Sequence, residues 1–162
     1  MRDLSSAVKA SHYVCLGHGL GVQAARAETE KPIGVVLNFT PGRLETKTKI
    51  NTEALERYEA VTNTWYLSAI IKGNYPDVAL QELEAYLPNS WKSDLQNIKE
   101  PIDFIGINYY TTVLLKSGGD KFPFVEIIER NLPKTDMGWD VEPAGLREAI
   151  DLVSDYACLL YT

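Results

Sequence analysis

Apolar and polar positions in this chain fall into blocks whose spacing switches between the helical and the extended period. Residues 3–27 read as one helix: Asp3 is placed to cap it, and Leu4, Val8, His12, Cys15, Leu16 and Val22 fall near one face. Gly17, Gly19 and Gly21 interrupt the pattern. Each costs roughly 1 kcal/mol against alanine inside a helix, so the cluster predicts close packing of this helix on a sheet.

Residues 33–39, Ile-Gly-Val-Val-Leu-Asn-Phe, are nearly continuously apolar, as in a parallel strand buried on both faces, with Asn38 near its end. Residues 40–50 read as a loop. From a cap at Asn51 or Thr52, Leu55, Tyr58, Thr62, Trp65, Tyr66, Ala69 and Ile70 repeat at helical spacing until Gly73. Pro76 and Asp77 open a shorter helix carrying Val78, Leu80, Leu83 and Leu87, which Pro88 ends, and a brief segment over 93–99 follows.

The second strand, residues 103–112, begins with apolar Phe104 and Ile105 and closes on Asn108, Tyr109 and Tyr110. Periodicity then lapses for over twenty residues, up to Met137-Gly138-Trp139, and a loop of such length is usually functional or mobile. Pro143 suits the first turn of a last helix with Leu146, Ile150 and Val153 on its apolar face, and 159–161 reads as a strand just begun.

Strands alternating with helices predict βαβ units and a parallel sheet, hence an α/β fold. Two strands and a fragment are too few for a free-standing parallel sheet. The expected architecture is therefore the middle of a larger barrel or doubly wound fold, with residues 1–162 forming one incomplete segment.

Composition changes this picture little. A chain of 162 residues with 45% hydrophobic and 23% charged residues is expected to be globular and soluble. The net charge of −6 and the scattered basic residues argue against a nucleic-acid partner. There is no run approaching a membrane span, and the N-terminal residues lack a signal peptide's apolar region. Cys15 and Cys158 stand in no metal-type spacing and are expected to be buried and reduced, which fits a cytoplasmic location.

Chemistry is expected at the carboxyl ends of the strands, where α/β folds gather functional groups. Tyr109 and Tyr110 end one strand there, either facing a ligand or serving as β-formers with their hydroxyls in water. His12 and His18 are six apart and share no helix face, so packing or capping is their expected role and no metal site is expected. Asn38-Phe39-Thr40 fits the glycosylation pattern, a short match that no secretion signal supports.

Five stretches in order carry a resemblance. They are 7–27 with His12-Tyr13 and Gly17-His18-Gly19, 33–41, 65–76 with Lys72-Gly73-Asn74-Tyr75-Pro76, 101–112, and Met137-Gly138-Trp139 followed by Pro143-Ala144-Gly145-Leu146-Arg147. On these the chain resembles the β-glucosidases of glycoside hydrolase family one, which hydrolyse β-glycosides with retention on a (β/α)8 TIM barrel and need no cofactor. The resemblance implies a partial barrel from about helix four to the start of strand seven. Residues 33–39 would be the fifth strand and 103–112 the sixth.

The resemblance also implies where the catalytic groups lie. Family members carry an acid/base glutamate in a Thr-Phe-Asn-Glu-Pro motif after strand four and a nucleophile in a Thr-Glu-Asn-Gly motif after strand seven. Neither motif occurs in this sequence. Retaining hydrolysis needs two carboxyl groups about 5–5.5 Å apart, and loss of either typically costs orders of magnitude in rate. Glu126, Glu129, Glu142 and Glu148 read as loop or helix residues with solvated charge, so the isolated chain is expected to be inactive or nearly so.

The supporting residues are present. By resemblance Tyr110 matches the tyrosine that hydrogen-bonds the nucleophile, Asn108 an asparagine beside the site, and Trp139 an aromatic lining the aglycone side, where an indole can stack on a sugar. Asn38 is a further aglycone-side candidate. The competing roles are structural: Trp139 anchoring its loop to the core, and Asn38 satisfying backbone groups at a strand end. Ser68-Ala69 departs from the family's usual Asp-Pro, which implies an altered helix-end contact.

The implied partners are a β-glucoside or related sugar and the remaining barrel segments. A non-catalytic sugar-binding module and self-association through exposed sheet edges are the alternatives.

Overall fold

The computed structural model of the protein describes residues 3–156. The strand expected at 159–161 and Cys158 lie outside the described residues. The chain opens with α1 (Leu4–Glu28), capped by the Asp3 carboxylate, which accepts from the Ser5 and Ser6 amides. About one residue in each turn faces the core, namely Val8, His12, Cys15, Gly19 and Val22.

The glycine cluster is resolved differently from expectation. Only Gly19 packs closely, and its neighbour is a helix: a Cβ there would lie 1.7 Å from the Asn97 carbonyl oxygen of α5 (Trp91–Ile98). Gly17 and Gly21 face open space. The glycine pattern thus marks a helix crossing rather than a helix lying on a sheet.

Strands β1 (Gly34–Phe39) and β3 (Phe104–Tyr109) pair in parallel, Gly34 beside Phe104 and Asn38 beside Asn108. Between them lie β2 (Gly42–Leu44), α2 (Lys49–Thr62), α3 (Thr64–Lys72), α4 (Asp77–Leu83) with a 3-10 turn to Tyr86, and α5. The predicted helix to Gly73 is two helices meeting at Asn63, started by Thr48 rather than Asn51 or Thr52. Gly73 ends α3 in the left-handed region at φ 70, which disfavours any other residue. At the departure from the family pattern, α3 runs unbroken through Ser68 and Ala69, and the Ser68 hydroxyl donates to Asn74 Oδ1.

Burial on both faces of the parallel strands is not observed. The odd positions Val35, Leu37, Phe39, Ile105 and Ile107 pack under the helices, against Trp65, Leu67, Ile70 and the last helix. On the even side Val36, Asn38, Phe104 and Asn108 are exposed, so each strand has one covered and one open face. Size is complementary across the register on that open face: a Cβ on Gly34 would meet the Phe104 ring at 2.4 Å, and one on Gly106 would meet Val36 Cγ2 at 2.9 Å.

The region expected to be loop holds a second sheet. β4 (Val113–Ser117) and β5 (Val125–Ile128) form an antiparallel pair, and β2 joins β4 in parallel. Leu115 is fully buried beneath α2, which explains why Val113-Leu114-Leu115 is apolar. The segment over 40–50, also expected to be loop, therefore contributes β2. Helix α6 (Ala144–Tyr156) closes the described chain. It buries Gly145 and Ala149, with Leu152, Val153 and Tyr156 against the core, whereas the predicted Leu146 and Ile150 are exposed. A small-residue face lets α6 approach closely: a Cβ on Gly145 would lie 2.3 Å from Thr112 Cγ2.

Candidate functional site

The carboxyl ends of β1 and β3 lie side by side because the pair is parallel, and they bring Asn38 and Asn108 together in register. Both asparagines are exposed on the open face. The alternation of the pleat then separates the two tyrosines. Tyr109 turns to the helix side, where its hydroxyl donates to the Glu142 carbonyl, and burial raises it above the ordinary phenol value. Tyr110 is 52% exposed at the strand end. Of the two readings of this tyrosine pair, neither holds for both residues.

Tyr110 meets Trp139, with ring centroids 5.0 Å apart and planes at 47°. Trp139 is itself 39% exposed, so it does not anchor its loop by burial in the core. The loop is held by its backbone and by neighbours. Thr135 N–H donates to the Trp139 carbonyl at 2.8 Å, Trp139 N–H to Thr135 Oγ1 at 3.2 Å, and Gly138 N–H to the Thr135 carbonyl at 2.8 Å. Gly138 makes this turn in the left-handed region at φ 77.

Behind the aromatic pair lies a charged network that the sequence reading missed. Arg130, just past β5, donates from Nε to Asp140 Oδ2 at 2.8 Å, from Nη1 to Glu142 Oε2 at 2.6 Å, and from Nη2 to the Thr112 carbonyl at 2.9 Å. The Thr112 hydroxyl donates to Glu142, and Lys134 Nζ donates to Asp140 Oδ1 at 2.8 Å. Arg43 of β2 reaches Glu142 at 2.9 Å, as a charge contact rather than an aligned hydrogen bond, and Glu148 at 2.9 Å. Glu142 is thus a shielded ion-pair partner, not the solvated surface charge expected. Glu126 too is in a strand, paired with Lys116 across β4 and β5.

The electrostatics follow from this packing. Burial pushes the Glu142 carboxyl up, but the Thr112 hydroxyl and the Arg130 and Arg43 charges outweigh it and hold it below its ordinary 4.5. Lys134 and Arg130 likewise hold Asp140 below its ordinary 3.8 against desolvation. Carboxylates so tied to cations are poor proton donors near neutral pH.

The turn after β1 is pinned separately. Thr40 N–H donates to Asn63 Oδ1 at 2.8 Å, and Asn63 Nδ2 returns a bond to the Thr40 carbonyl at 3.1 Å. Asn63 also bonds Glu59, which accepts from Gly42 N–H at 2.7 Å. Burial raises Glu59 above its ordinary 4.5 even so. The sequence signal for this clamp is faint: Asn63 is a polar residue at a helix junction that the apolar repeat reads straight through.

His12 is fully buried on α1, its Nδ1 2.8 Å from the Tyr75 hydroxyl and its Nε2 3.1 Å from Asp94 Oδ2 of α5. His18 is half-buried, and desolvation lowers it below 6.5. Cys15 is free and buried, with its thiol raised to about 11 by desolvation. Among the described residues, no three His, Cys, Asp or Glu side chains gather as metal ligands would, and no helix is long and apolar enough to cross a membrane.

Beta-glucosidase A of Thermotoga maritima is 36% identical over 149 residues, covering 90% of this chain and 33% of the relative. Beta-glucosidase A of Acetivibrio thermocellus is 32% identical, covering 96% and 36%. The solved family 1 β-glucosidase of Thermotoga maritima superimposes with a TM-score of 0.90 at 32% identity, over 96% of this chain and 36% of that one. The chain therefore spans about a third of the length of the relatives it matches, which are (β/α)8 barrels. Glycosyl hydrolase family 1 matches residues 1–160, and the chain belongs to that family.

Proposed function

We propose that this chain forms one incomplete segment of a retaining β-glucosidase barrel, from about helix four to the entry of strand seven. In this reading β1 and β3 are the fifth and sixth barrel strands, and both catalytic glutamates are supplied by the elements that complete the barrel. The observation that carries the proposal is the convergence of Asn38, Asn108, Tyr110 and Trp139 at one end of the β1–β3 pair. That is the strand end at which barrel enzymes assemble their sites. The exposed even face, with Val36 and Phe104, is the surface that further strands would cover.

The chemistry assigns roles. The Tyr110 phenol donates a hydrogen bond to the nucleophile carboxylate, holding it beside the anomeric carbon and giving the bond up as the glycosyl-enzyme forms. The Trp139 indole offers its face to the aglycone, and Asn38 and Asn108 offer amide groups along the rim. Relatives from Thermotoga maritima bind glucoimidazole and deoxynojirimycin, and a glucose-like sugar is the corresponding ligand here. Glu142, committed to Arg130 and Arg43, is not an acid/base candidate.

The test replaces the matching segment of the Thermotoga maritima enzyme with this chain. A folded chimera that hydrolyses an aryl β-glucoside with retention supports the proposal, and a folded but inactive chimera overturns it. Turnover by the isolated chain that disappears on mutation of one of its own glutamates overturns the assignment of both catalytic groups to other segments.

A further inference from the structure

We propose that Arg130 is the positioning residue for Trp139: it fixes the indole against Tyr110 by tying the residue after Trp139 to the residues after Tyr110. Trp139 makes no buried anchor of its own, being 39% exposed. Its successor Asp140 is bound twice over, by Arg130 Nε at 2.8 Å and by Lys134 Nζ at 2.8 Å. On the other side, Arg130 Nη2 reaches the Thr112 carbonyl at 2.9 Å and hydroxyl at 2.8 Å, and the Thr111 hydroxyl donates to the Asp140 carbonyl at 3.0 Å. One planar guanidinium thus spans the strand end and the loop.

Burial sets Arg130 apart from a surface cation. Its side chain is 10% exposed and that of Asp140 11%, whereas Lys134 is 37% exposed. A fork of donors fixed in one plane transmits position as well as charge, which lysine's single ammonium cannot do. The aglycone-facing role of Trp139 rests on the function proposed above, but its placement by Arg130 does not.

The experiment is 19F NMR of the full chain labelled with 5-fluorotryptophan. Its three tryptophans, Trp65, Trp91 and Trp139, give three resonances, with Trp139 assigned by W139F. Trp65 is buried in the helical core and reports the fold. In R130Q the Trp139 resonance is expected to move toward that of the free amino acid while Trp65 and Trp91 stay in place. R130K should fail to restore it. An unmoved Trp139 resonance in R130Q overturns the proposal.

If all three resonances move in R130Q, D140N decides. A shift of Trp139 alone upholds the proposal, while no shift or a general one overturns it. In the chimera, R130Q should raise KM for an aryl β-glucoside about tenfold with kcat little changed; a fall in kcat at constant KM counts against the proposal. An inactive chimera with a selective Trp139 shift leaves the Arg130 assignment standing and removes only the proposed function.

Discussion

The Tyr110 ring packs on the Trp139 indole at 5.0 Å and 47°, joining the end of β3 to the turn that precedes α6. The two residues then separate in their expected effects. Trp139→Ala removes a stacking surface worth about 0.5–1.5 kcal/mol and should raise KM of the chimera for an aryl glucoside about twofold to tenfold. Tyr110→Phe keeps the ring pair but removes the phenol, so kcat should fall about tenfold or more while KM changes little. Steady-state kinetics on both variants checks the division, and equal effects on KM would contradict it.

Gly19 and Gly17 should respond to alanine with opposite signs. At Gly19 the new Cβ would lie 1.7 Å from the Asn97 backbone, so α1 and α5 must separate, at a cost of about 1–3 kcal/mol. At Gly17 nothing lies within 4 Å, and alanine should stabilise the helix by up to about 1 kcal/mol. Urea midpoints of G17A and G19A measure this, and a stabilised G19A would refute the proposed crossing.

Asn63→Ala should destabilise the chain by about 1–3 kcal/mol, since it strips both bonds to Thr40 and leaves Glu59 with one partner fewer in a buried setting. The loss should be local to the turn after Asn38. Hydrogen exchange of the Thr40 and Gly42 amides, faster in the variant than in the parent, would register it.

Acid should weaken the charged ties of the Trp139 loop. The folded-state values of Glu142 and Asp140 are depressed, so their stabilisation is fully present above their ordinary 4.5 and 3.8 and is lost as pH falls through the lower folded values. Glu59 acts with the opposite sign: its folded value is raised, so protonation below that value favours the folded state. Unfolding midpoints between neutral pH and about 3 should therefore fall toward acid, and D140N should flatten that limb. An unchanged slope in D140N would remove the Asp140 contribution.

The parallel strands, the first helix and the polar strand ends were legible in the sequence because each follows one local rule: an apolar run, a cap, a change of chemistry along a strand. Three features escaped for physical reasons. The strand pair β4–β5 is short and irregularly bounded, and its apolar residues make sense only once α2 covers Leu115. The one-sided burial of β1 and β3 has the same composition as two-sided burial. Thr112, Arg130 and the Asp140–Glu142 pair lie ten or more residues from one another in the chain and converge in space, so no spacing rule finds them. The family resemblance reached Asn38, Asn108, Tyr110 and Trp139 by position in motifs, which carries no information on what holds the motifs in place.

On the open face of β1 and β3, glycine stands opposite a large residue twice, Gly34 beside Phe104 and Val36 beside Gly106, with the large side chain on alternate strands. The consequence is evolutionary. Each pair shares a single volume, so a side chain gained at 34 requires one lost at 104, and likewise for 36 and 106. Across related sequences the two columns of each pair should covary inversely in size, leaving a coupling signal strongest between positions that are seventy residues apart in sequence and adjacent in the sheet.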